Sequence, residues 1–187
     1  SLRATRMVAA VTTGVIGSGK STVARQVAAR LGAIVVRTDA VRKRLAGFAL
    51  GERRQVGFGE GLYGPDMAAR TYAEAMSVAA KILDAGWPVI VDGAFSSAGQ
   101  RGRAREASTR AGIDFAVLWC DAPDPVLAER LRRRARDPEE VSDAGVDLLP
   151  EHRARYEPPD GESAVIRVDT TAGADRAAEK AVAELCR

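Results

Sequence analysis

Short apolar runs rich in Val and Ile recur along the chain, separated by longer stretches whose apolar positions repeat at helical spacing. That alternation is expected of βα units laid around a parallel sheet. Gly, Pro and Asp bound candidate strands at Met7 to Thr12, Ala33 to Arg37, Pro88 to Asp92, Phe115 to Cys120 and Val165 to Asp169. Between them, helices are expected over Lys20 to Leu31, Ala40 to Leu45, Asp66 to Ala85, Gln100 to Ala111, Pro125 to Arg136, Asp147 to Tyr156 and Asp175 to Leu185. Pro65 and Pro125 stand where helices favour a proline. Two stretches fit neither period: glycine-rich Ala46 to Gly64, and Asp137 to Val146 with its acids, Pro138 and Gly145. Segments of this length inside a compact domain are more often lids or binding loops than plain connectors. Arg155 to Ser163, with Pro158, Pro159 and Gly161, reads as a linker before the last strand, so residues 1–187 are expected to form a single domain.

The turn after the first strand reads Gly14-Val15-Ile16-Gly17-Ser18-Gly19-Lys20-Ser21, the Gly-x4-Gly-Lys-Ser spacing of a phosphate-binding loop in its strand-to-helix setting. Glycines let the backbone amides of Gly14, Gly17, Ser18 and Gly19 close round phosphates, and the helix behind them turns its positive end the same way. Lys20 would reach the β and γ phosphates, Ser21 would offer a hydroxyl to Mg²⁺, and Thr22 would lie near the α phosphate. ATP with Mg²⁺ is the expected ligand pair. The loop by itself does not separate a kinase from a GTPase, a motor or a transporter ATPase.

Other residues speak to that choice. Asp39 follows the second strand, where a carboxylate can take the proton of an attacking hydroxyl, and Arg42, one helical turn on, can hold an anionic acceptor or the transferring phosphoryl group. The bland role for Asp39 is to cap the helix from Ala40. Asp92 ends the Val-Ile-Val-Asp strand and should orient Mg²⁺ through water or touch the acceptor, unless it only caps a turn. Among the arginines from Arg130 to Arg136, Arg130 and Arg134 are four apart and share a helix face, which suits a closing lid over about 130–146. The remaining arginines of that run read as solvated surface.

Composition narrows the partners. The 187 residues are 46% hydrophobic, enough for one core, and carry a formal charge of only +3. Arginines number 24 against four lysines, which makes Lys20 conspicuous. Cys120 and Cys186 form no disulfide framework and no apolar run approaches a membrane span, so a cytoplasmic protein is expected. The single histidine, His152, lies in a Glu-His-Arg run and reads as a solvated surface residue. Aromatics are 5% of the chain, too few for the stacking groove of a nucleic-acid binder, so a small-molecule hydroxyl is favoured over a nucleic-acid 5′-hydroxyl.

The phosphate loop, Arg37-Thr38-Asp39-Ala40-Val41-Arg42-Lys43, Val89-Ile90-Val91-Asp92-Gly93-Ala94-Phe95, and Ala122-Pro123 leading into Ala128-Glu129-Arg130-Leu131-Arg132-Arg133-Arg134 together resemble the AAA_33-type P-loop kinases related to polynucleotide kinase and gluconate kinase. The resemblance implies a P-loop NTPase fold, a three-layer αβα sandwich on a five-stranded parallel sheet with an arginine-bearing lid. It implies Asp39 as general base and Arg42 as acceptor contact, which with Lys20, Arg130 and Arg134 from the reading above makes five expected catalytic residues. Thr170-Thr171-Ala172-Gly173 falls where such kinases hold adenine. Gly93-Ala94-Phe95 departs from the Asp-Ala-Thr or Asp-Thr-Asn frequent in relatives. A second class of function stays open: an ATP-binding or slowly hydrolysing regulatory domain, fused to or associated with another module, monomeric or weakly dimeric.

Overall fold

A computed structural model describes residues 7–48, 64–136 and 146–187. Five strands, β1 (Val8–Thr13), β2 (Ile34–Arg37), β3 (Val89–Asp92), β4 (Asp114–Asp121) and β5 (Val165–Asp169), form one sheet in the order β2-β3-β1-β4-β5 with every pairing parallel. Among the described residues seven helices surround it: α1 (Lys20–Leu31), α2 (Thr38–Leu45), α3 (Pro65–Asp84), α4 (Ala98–Arg110), α5 (Asp124–Ala135), α6 (Leu149–Arg155) and α7 (Ala174–Leu185).

Side chains of successive strand residues point to opposite faces, and the core divides accordingly. Val8 and Ala10 of β1 pack with Ile90, Leu118 and Val168 against α1 and α7. Ala9 and Val11 pack with Val36, Val89 and Val117 against α2, α3 and α4. The central strands are buried on both faces, which is why they read as continuous apolar runs. A third cluster, Val15, Ala122, Leu127, Leu131, Leu149 and Tyr156, joins the turn after β1 to α5 and α6.

The expected three-layer αβα sandwich is therefore present, with differences at helix starts. α2 begins at Thr38 instead of Ala40, because β2 pairs in register with β3 up to Arg37 opposite Asp92, and the Thr38 hydroxyl donates to the Asp92 carbonyl at 3.0 Å. The chain thus turns into the helix at the end of the strand. α4 starts at Ala98 behind Ser97, whose side chain and Gln100 form a reciprocal capping box. α6 is shorter than expected: a 3-10 turn at Val146–Leu148 precedes it, and Pro150 sits in its first turn. Residues 137–145 of the expected lid and 49–63 of the glycine-rich stretch lie outside the described residues.

Candidate functional site

The turn from Gly14 to Gly19 rises from the sheet's central strand into α1. Gly14 is required by space: a Cβ there would lie 2.3 Å from the Cys120 carbonyl oxygen and 2.6 Å from Ser18 Oγ. Gly19, left-handed at φ 86°, caps α1 with no side-chain acceptor for the first-turn amides. Ser18 Oγ is buried and makes no hydrogen bond. A buried hydroxyl and a set of amides converge on one loop, the donor arrangement an anion satisfies. Lys20 Nζ donates to the carbonyls of Gly14 at 2.9 Å and Val15 at 2.8 Å. Burial holds its pKa below the usual lysine value; Cys120 and Asp92 oppose that shift and Arg134 adds to it. Ser21 and Thr22 occupy the first turn of α1, and the Thr22 amide donates to Gly19 O at 3.1 Å.

Beside the loop stand the ends of β2 and β3. Asp92 is buried, with Thr12 Oγ1 3.4 Å from its Oδ1, and its charge acts on Lys20. Asp39 lies in the first turn of α2 and is not its cap, a position taken by Arg37. The Asp39 carboxylate is 3.9 Å from Arg42 and 3.6 Å from Lys43; its side chain is 44% exposed while theirs are 14% and 15%. An open carboxylate therefore leans on two shaded cations. Tyr72 of α3 packs edge-on against Phe95, ring centroids 4.6 Å apart, and its hydroxyl accepts from the Phe95 amide at 3.2 Å. Burial raises the Tyr72 pKa, and the charges of Arg42 and Asp92 both act on the phenol.

Phe95 itself is left-handed, φ 38°, and fully buried. A bulky residue in that region is strained, and three bonds hold it: the Tyr72 bond at its amide, and at its carbonyl Thr13 Oγ1 at 3.0 Å and Arg101 Nη1 at 2.8 Å. Arg101, fully buried on α4, also donates to Glu162 at 2.6 Å and 3.0 Å. Thr13 Oγ1 lies 3.2 Å from the Tyr156 hydroxyl as well.

On the far side, Arg130 of α5 donates to Thr170 Oγ1 at 2.9 Å, Thr170 O at 2.6 Å and Gly17 O at 3.4 Å. Burial lowers its pKa, and the charges of Arg134 and Arg133 add to that. Of the pair at i and i+4, Arg130 bonds the loop at Gly17 O, while the charge of Arg134 lowers the Lys20 pKa. Arg132, Arg133 and Arg136 are exposed. In this arrangement Arg130 is a latch from α5 to the loop and to the segment after β5.

His152 departs from expectation. It is half-buried on α6, and its pKa is pushed down to about 4, chiefly by burial, with the charges of Lys20 and Arg155 acting in the same direction. The legible signal was Leu149-x-x-His152-x-x-x-Tyr156, three positions on one helical face, two of them apolar. Arg101 and Glu162, 61 residues apart, had no such signal.

Residues 10–159 match AAA_33, described as an AAA domain. The chain belongs to the AAA_33 family. Over 121 residues this AAA_33 chain is 36% identical to the uncharacterized protein Rv2004c of Mycobacterium tuberculosis (strain ATCC 25618 / H37Rv) and to the uncharacterized protein Mb2027c of Mycobacterium bovis. The matched segment is 64% of this chain and 24% of each relative, so the chain spans about a quarter of their length. A gluconokinase from Sinorhizobium meliloti 1021 superposes with a TM-score of 0.67 at 24% identity, over 98% of this chain and 94% of that one. The Mycobacterium tuberculosis APS kinase CysC, solved with AMPPNP and APS, gives 0.69 at 25% identity, over 97% and 99%. The Deinococcus radiodurans tunicamycin resistance protein gives 0.62 at 21% identity, over 96% of each chain. The AAA_33 chain thus has the fold of P-loop kinases, as its motifs implied. Among the described residues no helix is long and apolar enough to cross a membrane.

Proposed function

We propose that this AAA_33 chain transfers the terminal phosphoryl group of ATP to a hydroxyl of a small molecule. The observation that carries the reading is the glycine loop itself, where Lys20 Nζ rests on the Gly14 and Val15 carbonyls and the buried Ser18 hydroxyl has no partner, with Asp92 buried at the end of the neighbouring strand and Asp39 open at the same sheet edge.

The loop amides and Lys20 hold the β and γ phosphates, Lys20 exchanging its two carbonyl acceptors for phosphate oxygens. Ser21 and Asp92, the latter through water, are the residues that would hold Mg²⁺. Among the described residues there is no cluster of three metal-ligating side chains, so a hard cation here would take the rest of its shell from phosphates and water. When bound, the ion neutralises charge on the phosphate oxygens. Asp39 accepts the hydroxyl proton as the acceptor oxygen bonds to the γ-phosphorus and the bond from that phosphorus to the bridging oxygen breaks, releasing ADP. Arg42 holds an anionic acceptor or the group in flight, and Arg130 and Arg134 meet the charge that spreads over the equatorial oxygens. A charge of +3 and an aromatic content of 5% support a metabolite or antibiotic hydroxyl over a nucleic-acid end.

The test is ATP consumption with and without pooled sugars, nucleosides, aminoglycosides and 5′-hydroxyl oligonucleotides, for the wild type, Asp39→Ala and Lys20→Ala. Acceptor-dependent turnover that falls by about 10²–10⁴-fold in Asp39→Ala fits a positioned base. ATP binding with turnover that no acceptor stimulates sinks the kinase reading and favours a regulatory domain.

A further inference from the structure

The helix behind the lid region carries a residue that the transfer chemistry above does not use. Leu149 and Tyr156 bracket α6, both buried in the cluster that contains Val15 of the phosphate loop. His152 falls between them, three residues after the first and four before the second, and so shares their face. Two anchors fix α6 in place. The Tyr156 hydroxyl lies 3.2 Å from Thr13 Oγ1, in the residue that precedes Gly14. On its flank Arg153 pairs with Asp124 at the start of α5. His152 therefore lies on the face of α6 whose anchors Leu149 and Tyr156 pack in one cluster with Val15 of the loop.

We propose that His152 is a ligand of the nucleotide's terminal phosphates, presented to the loop by α6 opposite Lys20. The inference rests on the phosphoryl-transfer reading and adds a side chain to its polyphosphate site. An imidazole suits the place: uncharged, it keeps one N–H to donate to a phosphate oxygen, and charged, it adds a second donor and an ion pair. Among the charges that act on it are the Lys20 ammonium from the start of α1 and the Arg155 guanidinium from α6 itself, both positive. Burial first, and these charges after it, push the ring's pKa down to about 4. A polyphosphate arriving between Lys20 and His152 reverses the sign of that local field, so nucleotide binding and proton uptake at this ring are linked.

His152 is the only histidine in the chain, so its ring protons give an isolated NMR signal. The experiment follows that signal against pH in the full chain, alone and with Mg²⁺ and the imido analogue of ATP, while loop glycine amides report binding. The expected result is a midpoint near pH 4 without nucleotide and an upward move of a unit or more with it, a tenfold or larger gain in proton affinity. Lys20→Met without nucleotide moves it the same way. His152→Gln weakens analogue binding by roughly 3- to 10-fold, as loss of one hydrogen bond does. Analogue binding that leaves the His152 midpoint unchanged overturns this proposal alone. Loop amides that never respond to the analogue overturn the kinase reading and this one with it.

Discussion

Arg101 and Glu162 offer the sharpest test of how the site is held. The Arg101 side chain is fully buried, whereas Glu162 is 18% exposed and has a second partner in Arg105 at 3.4 Å. The pair is therefore asymmetric. Glu162→Ala leaves a buried guanidinium whose remaining acceptor is the Phe95 carbonyl, and breaking a buried pair in this way costs about 3–5 kcal/mol. Arg101→Met leaves a carboxylate that water and Arg105 still serve, and a Phe95 carbonyl that Thr13 still serves, so its cost is about 1–2 kcal/mol. The double variant Arg101→Met/Glu162→Leu removes both charges and should return to within about 1 kcal/mol of the wild type. Urea denaturation at pH 7 measures all three, and the matching fall in Tm for Glu162→Ala is about 6–20 °C. Equal costs for the two single variants, or a double variant as unstable as their sum, would refute the asymmetry. Phe95 stands next to the acceptor edge, so the same variants should raise KM for the acceptor more than KM for ATP.

Three further outcomes follow, two from shifted pKa values and one from close packing. Between pH 6.5 and 4 the unfolded His152 ring takes up a proton that the folded ring declines, so stability falls as the pH drops through that window. Allowing for solvent screening at a half-buried site, urea midpoints at pH 7 and pH 4.5 should show His152→Gln losing about 1–2 kcal/mol less than the wild type; parallel curves would contradict this. Glu162, whose pKa Arg101 lowers, loses its contribution in the same direction but at lower pH, as the folded carboxyl protonates. In Gly93→Ala the new Cβ would lie 2.8 Å from Thr38 Cγ2, 2.9 Å from Thr38 Oγ1 and 3.2 Å from a Phe95 ring carbon. It should cost about 1–3 kcal/mol and depress acceptor-dependent turnover by shifting Thr38 and Asp39, while nucleotide affinity measured by calorimetry stays within twofold.

The parts of this protein that could be read from the chain are those set by near neighbours. The phosphate loop needs glycines at fixed offsets, and a strand buried on both faces must be apolar throughout, so both left marks that survive without a structure. That Arg130 and Arg134 share a helix face was legible for the same reason, since four residues define one. What escaped depends on distant chain. α4 is polar along almost its whole length, and the face it buries is Arg101, Ala104 and Ser108, a pattern that makes sense only once Glu162 arrives from the far side of β4. His152 was hidden by its charged neighbours Glu151 and Arg153, although Leu149 and Tyr156 mark its face. Thr38 looked like a residue of the turn after β2, and only the register opposite Asp92 places it in the helix.

Thr13 has one proton to give. Its hydroxyl is committed to the Phe95 carbonyl at 3.0 Å, so at the 3.2 Å contact with Tyr156 the phenol must be the donor. The three groups then form a one-way chain, from the end of α6 through the last residue of the central strand to the backbone beside Asp92. The Glu157 amide, donating to the Ser96 carbonyl at 2.9 Å, runs alongside it. The packing against Val15 of the phosphate loop and the turn after β3 are joined at their roots, and Tyr156→Phe would remove the hydroxyl link, leaving the Glu157 bond, without removing a ring from either.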